Sequence, residues 1–210
     1  MPEFREREGL WRLWVASAEL AGPALALARV QSKLAAPSEL AAPAELDGVA
    51  CDYEHEFLRW TLGGLPHATR RAGLEWLRAR AFLAPRPLAS GGLYRAGLAR
   101  YSFLVTQRVL GAVTLLEFLA QADDPLRAEV LEELARETAR LHALQRVLPE
   151  PAAAQVQVER AGTVGRVYFL DCRPGMVRPG ALAGLTHSLA HSERERFLEH
   201  YADELAAQLP

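Results

Sequence analysis

The stretch from Asp123 to Pro174 constrains the fold of this chain more than any other. It opens on Asp123-Asp124-Pro125, a helix-start signal, since acids satisfy free N–H groups and proline is tolerated in a first turn. Leu126, Val130, Leu134 and Leu141 follow at helical spacing, with Leu131 widening the stripe, and predict a helix to about Ala143. A loop from Val147 to Val158 follows, holding Glu150 between two prolines. The apolar run Arg166-Val167-Tyr168-Phe169-Leu170 then reads as a strand, closed by Asp171-Cys172-Arg173-Pro174. The order is helix, acid-bearing loop, strand and terminal acid.

A chain of 210 residues can form one domain or two lobes sharing a cleft. With 50% hydrophobic and 24% charged residues it has the material for a real core. Its net charge of -2 provides no global field for nucleic acid, so none is expected as a partner. Lys33 is the only lysine, which leaves one candidate for any chemistry that needs one. Cys51 and Cys172 are far apart and fit a reducing compartment better than a disulfide framework. The charged start, Met1 to Glu8, lacks the apolar region of a signal peptide, and no apolar run approaches the roughly 20 residues that span a bilayer. The expectation is a cytoplasmic protein, with a peripheral membrane contact left open.

The earlier half reads mainly as strands. Gly9 to Val30 predicts a strand or two, broken at Gly22-Pro23, and the Ala/Pro-rich Ala35 to Pro43 predicts a loop. Cys51 to Leu62 predicts a strand, Gly63-Gly64-Leu65-Pro66 a turn, and Ala68 to Phe82 a helix stopped by Pro85 and Pro87. Gly91-Gly92 predicts a turn between two short strands, and Tyr101 to Thr106 is the clearest early strand. Thr114 is a fair N-cap for a short helix through Leu119. Beyond Asp171, the segments Ala181 to Ala190 and Glu193 to Ala207 read as two final helices. The order implies an α+β fold with a small mixed lobe before a helical one.

The spacing inside the loop has a chemical meaning. Phosphotransferase catalytic loops of the form H-R-D-x-x-x-x-N use the Asp to accept a hydroxyl proton and the Asn to help hold Mg²⁺. Here Leu148-Pro149-Glu150 stands at His-Arg-Asp, Gln155 follows Glu150 by five residues, and Asp171 stands where a second magnesium-binding Asp is expected.

Leu141-His142-Ala143, Val167-Tyr168-Phe169-Leu170-Asp171 and Ser102-Phe103-Leu104-Val105-Thr106 to Phe118 together resemble the lipopolysaccharide core kinases, the Kdo/heptose (WaaP/InaA-type) branch of the protein-kinase-like fold. Arg70-Arg71-Ala72-Gly73-Leu74-Glu75-Trp76 through Pro87-Leu88-Ala89 is similar to that family's regulatory helix and its exit. The resemblance covers roughly Phe57 to Tyr201. It implies a two-lobe fold: a β-rich N-lobe with one helix (about 1–106), a hinge (107–112) and a shortened helical C-lobe (113–210). It also implies ATP and Mg²⁺ as cofactors, and a sugar hydroxyl of the lipopolysaccharide core as acceptor at the inner face of a bacterial inner membrane.

Carried over residue by residue, Asp171 and Gln155 become metal ligands, Glu150 the catalytic base, and Arg59 and Glu75 the nucleotide-binding pair. Only Asp171 and Glu75 match the family pattern. Arg59 replaces a lysine, Glu150 an Asp and Gln155 an Asn, and no Gly-rich loop is recognisable. Arg directs its charge differently from an ammonium, and Glu and Gln each reach one methylene further. In chemistry that depends on positioning, errors on the order of 1 Å can cost about 100-fold. These replacements favour a catalytically impaired, pseudokinase-like member. An active sugar kinase using Glu150, Gln155 and Asp171 is the alternative, and a binding module unrelated to kinases a further one.

Structural readings stand beside these. Glu150 can be a solvated loop acid, Asp171 a turn cap, Arg59 an exposed strand charge, and Glu75 a surface partner of Arg71 or Arg78. His142 is placed to pack or cap near a helix C-terminus, where positive charge is favoured. Asp52, Glu54, His55 and Glu56 read as a solvated strand edge whose alternation splits them between faces. His187 and His191 share a helical spacing but lack a third ligand for zinc. Cys172 reads as a small packed side chain.

Overall fold

The structure is a computed structural model and describes residues 4–8, 10–32, 42–61, 65–96, 98–162, 164–177, 182–187 and 189–208. Two compact units emerge: Met1–Glu75 with Pro85–Arg108, and Trp76–Ala84 with Val109–Pro210.

The first unit is built on β1 (Phe4–Glu8), β2 (Trp11–Val15), α1 (Ala21–Gln31), β3 (Ala42–Leu46), β4 (Val49–Thr61), the start of α2 (Pro66–Ala79), β5 (Pro87–Arg95) and β6 (Leu98–Gln107). Its strands form one antiparallel sheet in the order β1-β2-β5-β6-β4-β3. The aromatic run that marks β6 explains its central place: Tyr101 and Phe103 are buried beside Trp11 and Tyr53, where α1 lays Ala21, Ala24, Leu25 and Ala28 on the same cluster. Alternation along β4 sends Tyr53 to that face and Glu54 to the other. On the second face α2 supplies Arg70, paired with Glu54, and His67, whose Nδ1 lies 3.1 Å from the Ser102 hydroxyl. Burial, then the Arg70 charge, pushes His67 down to about 4.

Several expectations change here. Gly22-Pro23 does not break a strand; it lies in the first turn of α1, where proline's missing N–H costs nothing. Among the described residues the early half thus has two α-helices rather than one. Ala42 and Pro43, expected in a loop, begin β3, an edge strand where proline is accepted; residues 33–41, with Lys33, lie outside the described residues. Gly91 and Gly92 are not a turn but the middle of β5. A Cβ on Gly91 would lie 2.4 Å from the Arg12 carbonyl oxygen, and one on Gly92 2.5 Å from that of Tyr101, so close backbone approach selects glycine. Leu62 and the Gly63-Gly64 turn signal lie outside the described residues.

The second unit contains β7 (Ala112–Thr114), α3 (Leu115–Gln121), α4 (Asp124–Ala143), β8 (Arg146–Val147), β9 (Val156–Ala161), β10 (Val164–Phe169), β11 (Arg173–Pro174), α5 (Ala183–Thr186) and α6 (His191–Gln208). Thr114 caps α3 in a reciprocal box with Glu117. Asp123 accepts from the Leu126 N–H at 3.3 Å and caps α4, whose predicted face, Leu126, Val130, Leu131, Leu134 and Leu141, is buried. Strands β10-β9-β7 form one sheet and β11-β8 a short ribbon. Helix α6 packs on α4 with Phe197 and Tyr201 buried, and the Tyr201 hydroxyl lies 2.7 Å from His142 Nδ1. Burial pushes His142 down to about 4, and the ring packs near the end of α4, one of the two roles expected of it.

Helix α2 ends in this unit, and not at a proline. The Phe82 N–H donates to the Leu77 carbonyl at 3.0 Å and the Ala81 N–H to that of Arg78 at 3.2 Å, with Ala81 at φ 60. These two bonds satisfy the last carbonyls before Pro85 is reached. Of the expected helix Ala181 to Ala190, only Ala183–Thr186 is helical; residues 178–181 and 188 lie outside the described residues. His187 caps α5 and His191 opens α6, so they share no helix face.

Candidate active site

The β9–β10 hairpin ends at Asp171. Register pairs Phe169 with Val156, which brings the residue before β9 alongside the residues after β10. The Leu170 N–H donates to the Gln155 carbonyl at 2.8 Å, so Gln155 and Asp171 sit at the same end of the hairpin. Asp171 is 2% exposed, and Arg173 Nε donates to its Oδ2 at 3.4 Å. Cys172 beside it is buried; burial pushes its thiol up to about 11, with Arg146 opposing and Asp171 adding to the shift. It is a packed thiol rather than a nucleophile.

Glu150 leaves the loop before a 3-10 turn, Ala152–Gln155. It is exposed, and its Oε2 accepts from the Ala152 N–H at 3.1 Å. The same oxygen lies where a Cβ on Gly184 would come within 2.6 Å, so the start of α5 backs the carboxylate. The spacing that picks out Glu150 carries no signal for Gly184, which is remote in sequence. Arg173 as the cation on Asp171 is missed for a simpler reason: its strand β11 is only two residues long.

Glu150, Gln155 and Asp171 belong to the second unit, Arg59 and Glu75 to the first. Glu75 is exposed on α2 and lies 3.7 Å from Arg71, the i,i+4 partner its surface reading names. Arg71 in turn stacks its guanidinium 4.2 Å from the Trp14 ring centroid. Arg59 belongs to β4 where its pairing with β6 is irregular, and its side chain lies outside the described residues.

Elsewhere on β4 the expected solvated edge is corrected. The strand runs between β6 and β3, and Glu54 and His55 are 8% and 7% exposed. Asp52 accepts from Arg108 Nε at 2.8 Å. Among the described residues no group of three or more His, Cys, Asp or Glu side chains could hold a metal ion. Asp171 and Gln155 offer a carboxylate and a carbonyl oxygen. That donor set fits Mg²⁺, which commonly takes one or two protein oxygens and completes its shell with phosphate and water.

The profile of the lipopolysaccharide kinase (Kdo/WaaP) family matches residues 48–171, more than half of the chain. The chain belongs to this family. Among solved structures it is similar to WaaP in complex with acyl carrier protein, at 17% identity and a TM-score of 0.57, over 80% of this chain and 81% of that one. A glucosamine kinase in complex with glucosamine, ADP and inorganic phosphate aligns at 14% identity and a TM-score of 0.48, over 99% and 83% of the two chains. No curated protein matches it in sequence. The Kdo/WaaP member thus has a kinase-like two-lobe fold, which sets aside a module unrelated to kinases. Among the described residues no helix is long and apolar enough to cross a membrane.

Proposed function

We propose that this Kdo/WaaP-family protein is a catalytically impaired, pseudokinase-like member that keeps a residual capacity for ATP and Mg²⁺. The observation carrying the reading is the state of the acid at the base position: the Glu150 carboxylate accepts from its own loop, at Ala152, and rests against Gly184. An acid held by local backbone must give up that bond before it can reach a substrate hydroxyl, and phosphoryl transfer tolerates little misplacement. Glu75 on Arg71 points the same way, since a helix acid held by its own helix is drawn from a strand cation.

In this reading Asp171 and Gln155 hold the metal, Arg59 and Glu75 serve the nucleotide, and residues 1–106, 107–112 and 113–210 are N-lobe, hinge and C-lobe. When bound, ATP with Mg²⁺ supplies the phosphoryl group and neutralises its charge. The protein works in the cytoplasm at the inner face of the membrane.

One observation favours a second reading, an active phosphotransferase acting on a sugar hydroxyl of the lipopolysaccharide core. The backbone bond from Leu170 to Gln155 keeps position 155 at the Asp171 end of the hairpin, which supports a pair of metal ligands there. Glu150 is then the base. A thermal-shift titration with ATP and Mg²⁺ tests both readings: a shift is expected, and one left unchanged by Asp171→Ala argues against this site. Sustained phosphate transfer to a lipid A–core acceptor, lost in Glu150→Ala, would replace the first reading by the second.

A further inference from the structure

Within the first unit, α2 has anchors that need no ion pair. Leu74 is buried, and His67 Nδ1 lies 3.1 Å from the Ser102 hydroxyl of β6. Beside these anchors lies a contact that docking does not require. Arg70 Nη1 donates to Glu54 Oε2, tying α2 to β4, and the two side chains keep only 21% and 10% exposure. Taking two charges out of water is costly, and an apolar pair of similar volume often holds as well or better. A largely buried ion pair kept at that cost points to a use for its charge.

An ion pair between strand and helix is a working part of kinase sites, where a helix glutamate holds a strand lysine against the nucleotide phosphates. Glu54 and Arg70 make a pair of this kind with the charges exchanged: the acid is on the strand and the cation on the helix. They are 16 residues apart, the same separation as Arg59 and Glu75, so the spacing that picks out one pair fits the other equally well. Glu75 is exposed and lies 3.7 Å from Arg71, which turns to the Trp14 ring instead. The acid and cation seated against the sheet are Glu54 and Arg70.

We infer that Arg70, held by Glu54, binds the phosphates of a nucleoside di- or triphosphate. A guanidinium carries five N–H donors in one plane, a geometry that serves a carboxylate on one edge and phosphate oxygens on another. Glu54 is then a positioning residue, fixing the helix cation as a helix acid fixes a strand lysine in the usual polarity. The inference rests on the proposed function in one respect, that a nucleotide binds; Arg59 and Glu75 keep the roles given there.

Isothermal titration of the full chain with ADP and with adenosine, both in Mg²⁺, separates a phosphate contact from helix docking. The parent should bind ADP more tightly than adenosine. Arg70→Gln should weaken ADP about 10-fold, the worth of a hydrogen bond between charged groups, and leave adenosine unchanged. Arg70→Lys should recover most of that loss. Removing one partner of a buried pair also destabilises the fold, so Glu54→Gln with Arg70→Gln is measured beside it. This double variant exchanges the ion pair for an amide pair; it should melt close to the parent and still bind ADP as weakly as Arg70→Gln. Parental ADP affinity in the double variant, or a loss shared equally by adenosine, overturns the proposal and leaves a pair that only docks the helix, with the nucleotide reading intact. A parent that binds neither ADP nor adenosine overturns the nucleotide reading and this proposal together.

Discussion

The Leu170 amide donates to the Gln155 carbonyl at 2.8 Å, which ties the residue before a buried acid to the residue five places after Glu150. That bond is made by backbone, so it survives any change of side chain at position 155. Gln155→Ala therefore isolates the amide oxygen. The variant should melt within about 0.5 kcal/mol of the parent, as surface substitutions usually do, and lose the Mg²⁺-dependent part of an ATP-induced thermal shift. A full shift in the variant would remove Gln155 from the metal set.

The close of α2 predicts a stabilising substitution. Ala81 adopts φ 60 at the position after the cap, where glycine is the usual occupant because a Cβ is strained there. Ala81→Gly should gain about 0.5–1 kcal/mol, the relief of left-handed strain less the extra freedom of the unfolded chain. Urea midpoints measure this directly. A loss of stability would mean that the Ala81 methyl packs in a way that outweighs its strain.

The buried histidines predict an acid limb. His67 and His142 are both held near 4, below the ordinary 6.5, chiefly by burial. As pH falls through 6.5 the unfolded chain takes up a proton on each ring, while the folded chain does so only near 4. The contribution is complete above about pH 7, falls between 6.5 and 4, and levels off below. By pH 5 the loss should be on the order of 2 kcal/mol per ring. Urea titrations at pH 7.5 and pH 5 should show this fall, and His142→Gln should shrink it. Equal midpoints at the two pH values would show that the rings charge without cost.

What the sequence reveals divides along physical lines. Leu126, Val130 and Leu134 report a helix because burial on one face imposes its own period, and Thr114 and Asp123 report helix starts because capping is local chemistry. Gly91-Gly92 misleads for the opposite reason. Its glycines answer to the Arg12 carbonyl, far away in sequence, and to the Tyr101 carbonyl on the paired strand β6. The charges of β4 are split between faces as alternation demands, yet the burial of Glu54 and His55 comes with Arg70 of α2 and the Tyr101 ring of β6, neither of which the β4 sequence encodes. At the candidate site, spacing picks out Glu150, Gln155 and Asp171 as the proposed groups. What engages their groups, namely Ala152 and Gly184, the Leu170 amide, and Arg173, comes from loop geometry and tertiary packing that spacing does not encode.

The contact between Glu150 and Gly184 can be measured as a coupling. A Cβ at position 184 would meet Glu150 Oε2 at 2.6 Å, Ala152 Cβ at 3.2 Å and Ala152 N at 3.3 Å. The nearest of these atoms is the end of a flexible side chain, so Gly184→Ala should displace the carboxylate rather than unfold α5, at the cost of its bond from the Ala152 N–H. About 1 kcal/mol is expected, the usual worth of such a bond. In a Glu150→Ala background the carboxylate is gone and only Ala152 stays within reach of the new methyl, so the same substitution should cost less. A double-mutant cycle on urea midpoints should therefore give a coupling of about 0.5–1 kcal/mol. A cycle that closes to zero would show that Glu150 does not rest on Gly184 in solution. The carboxylate would then be free to meet a substrate hydroxyl, and the case for impairment would lose the observation that carries it.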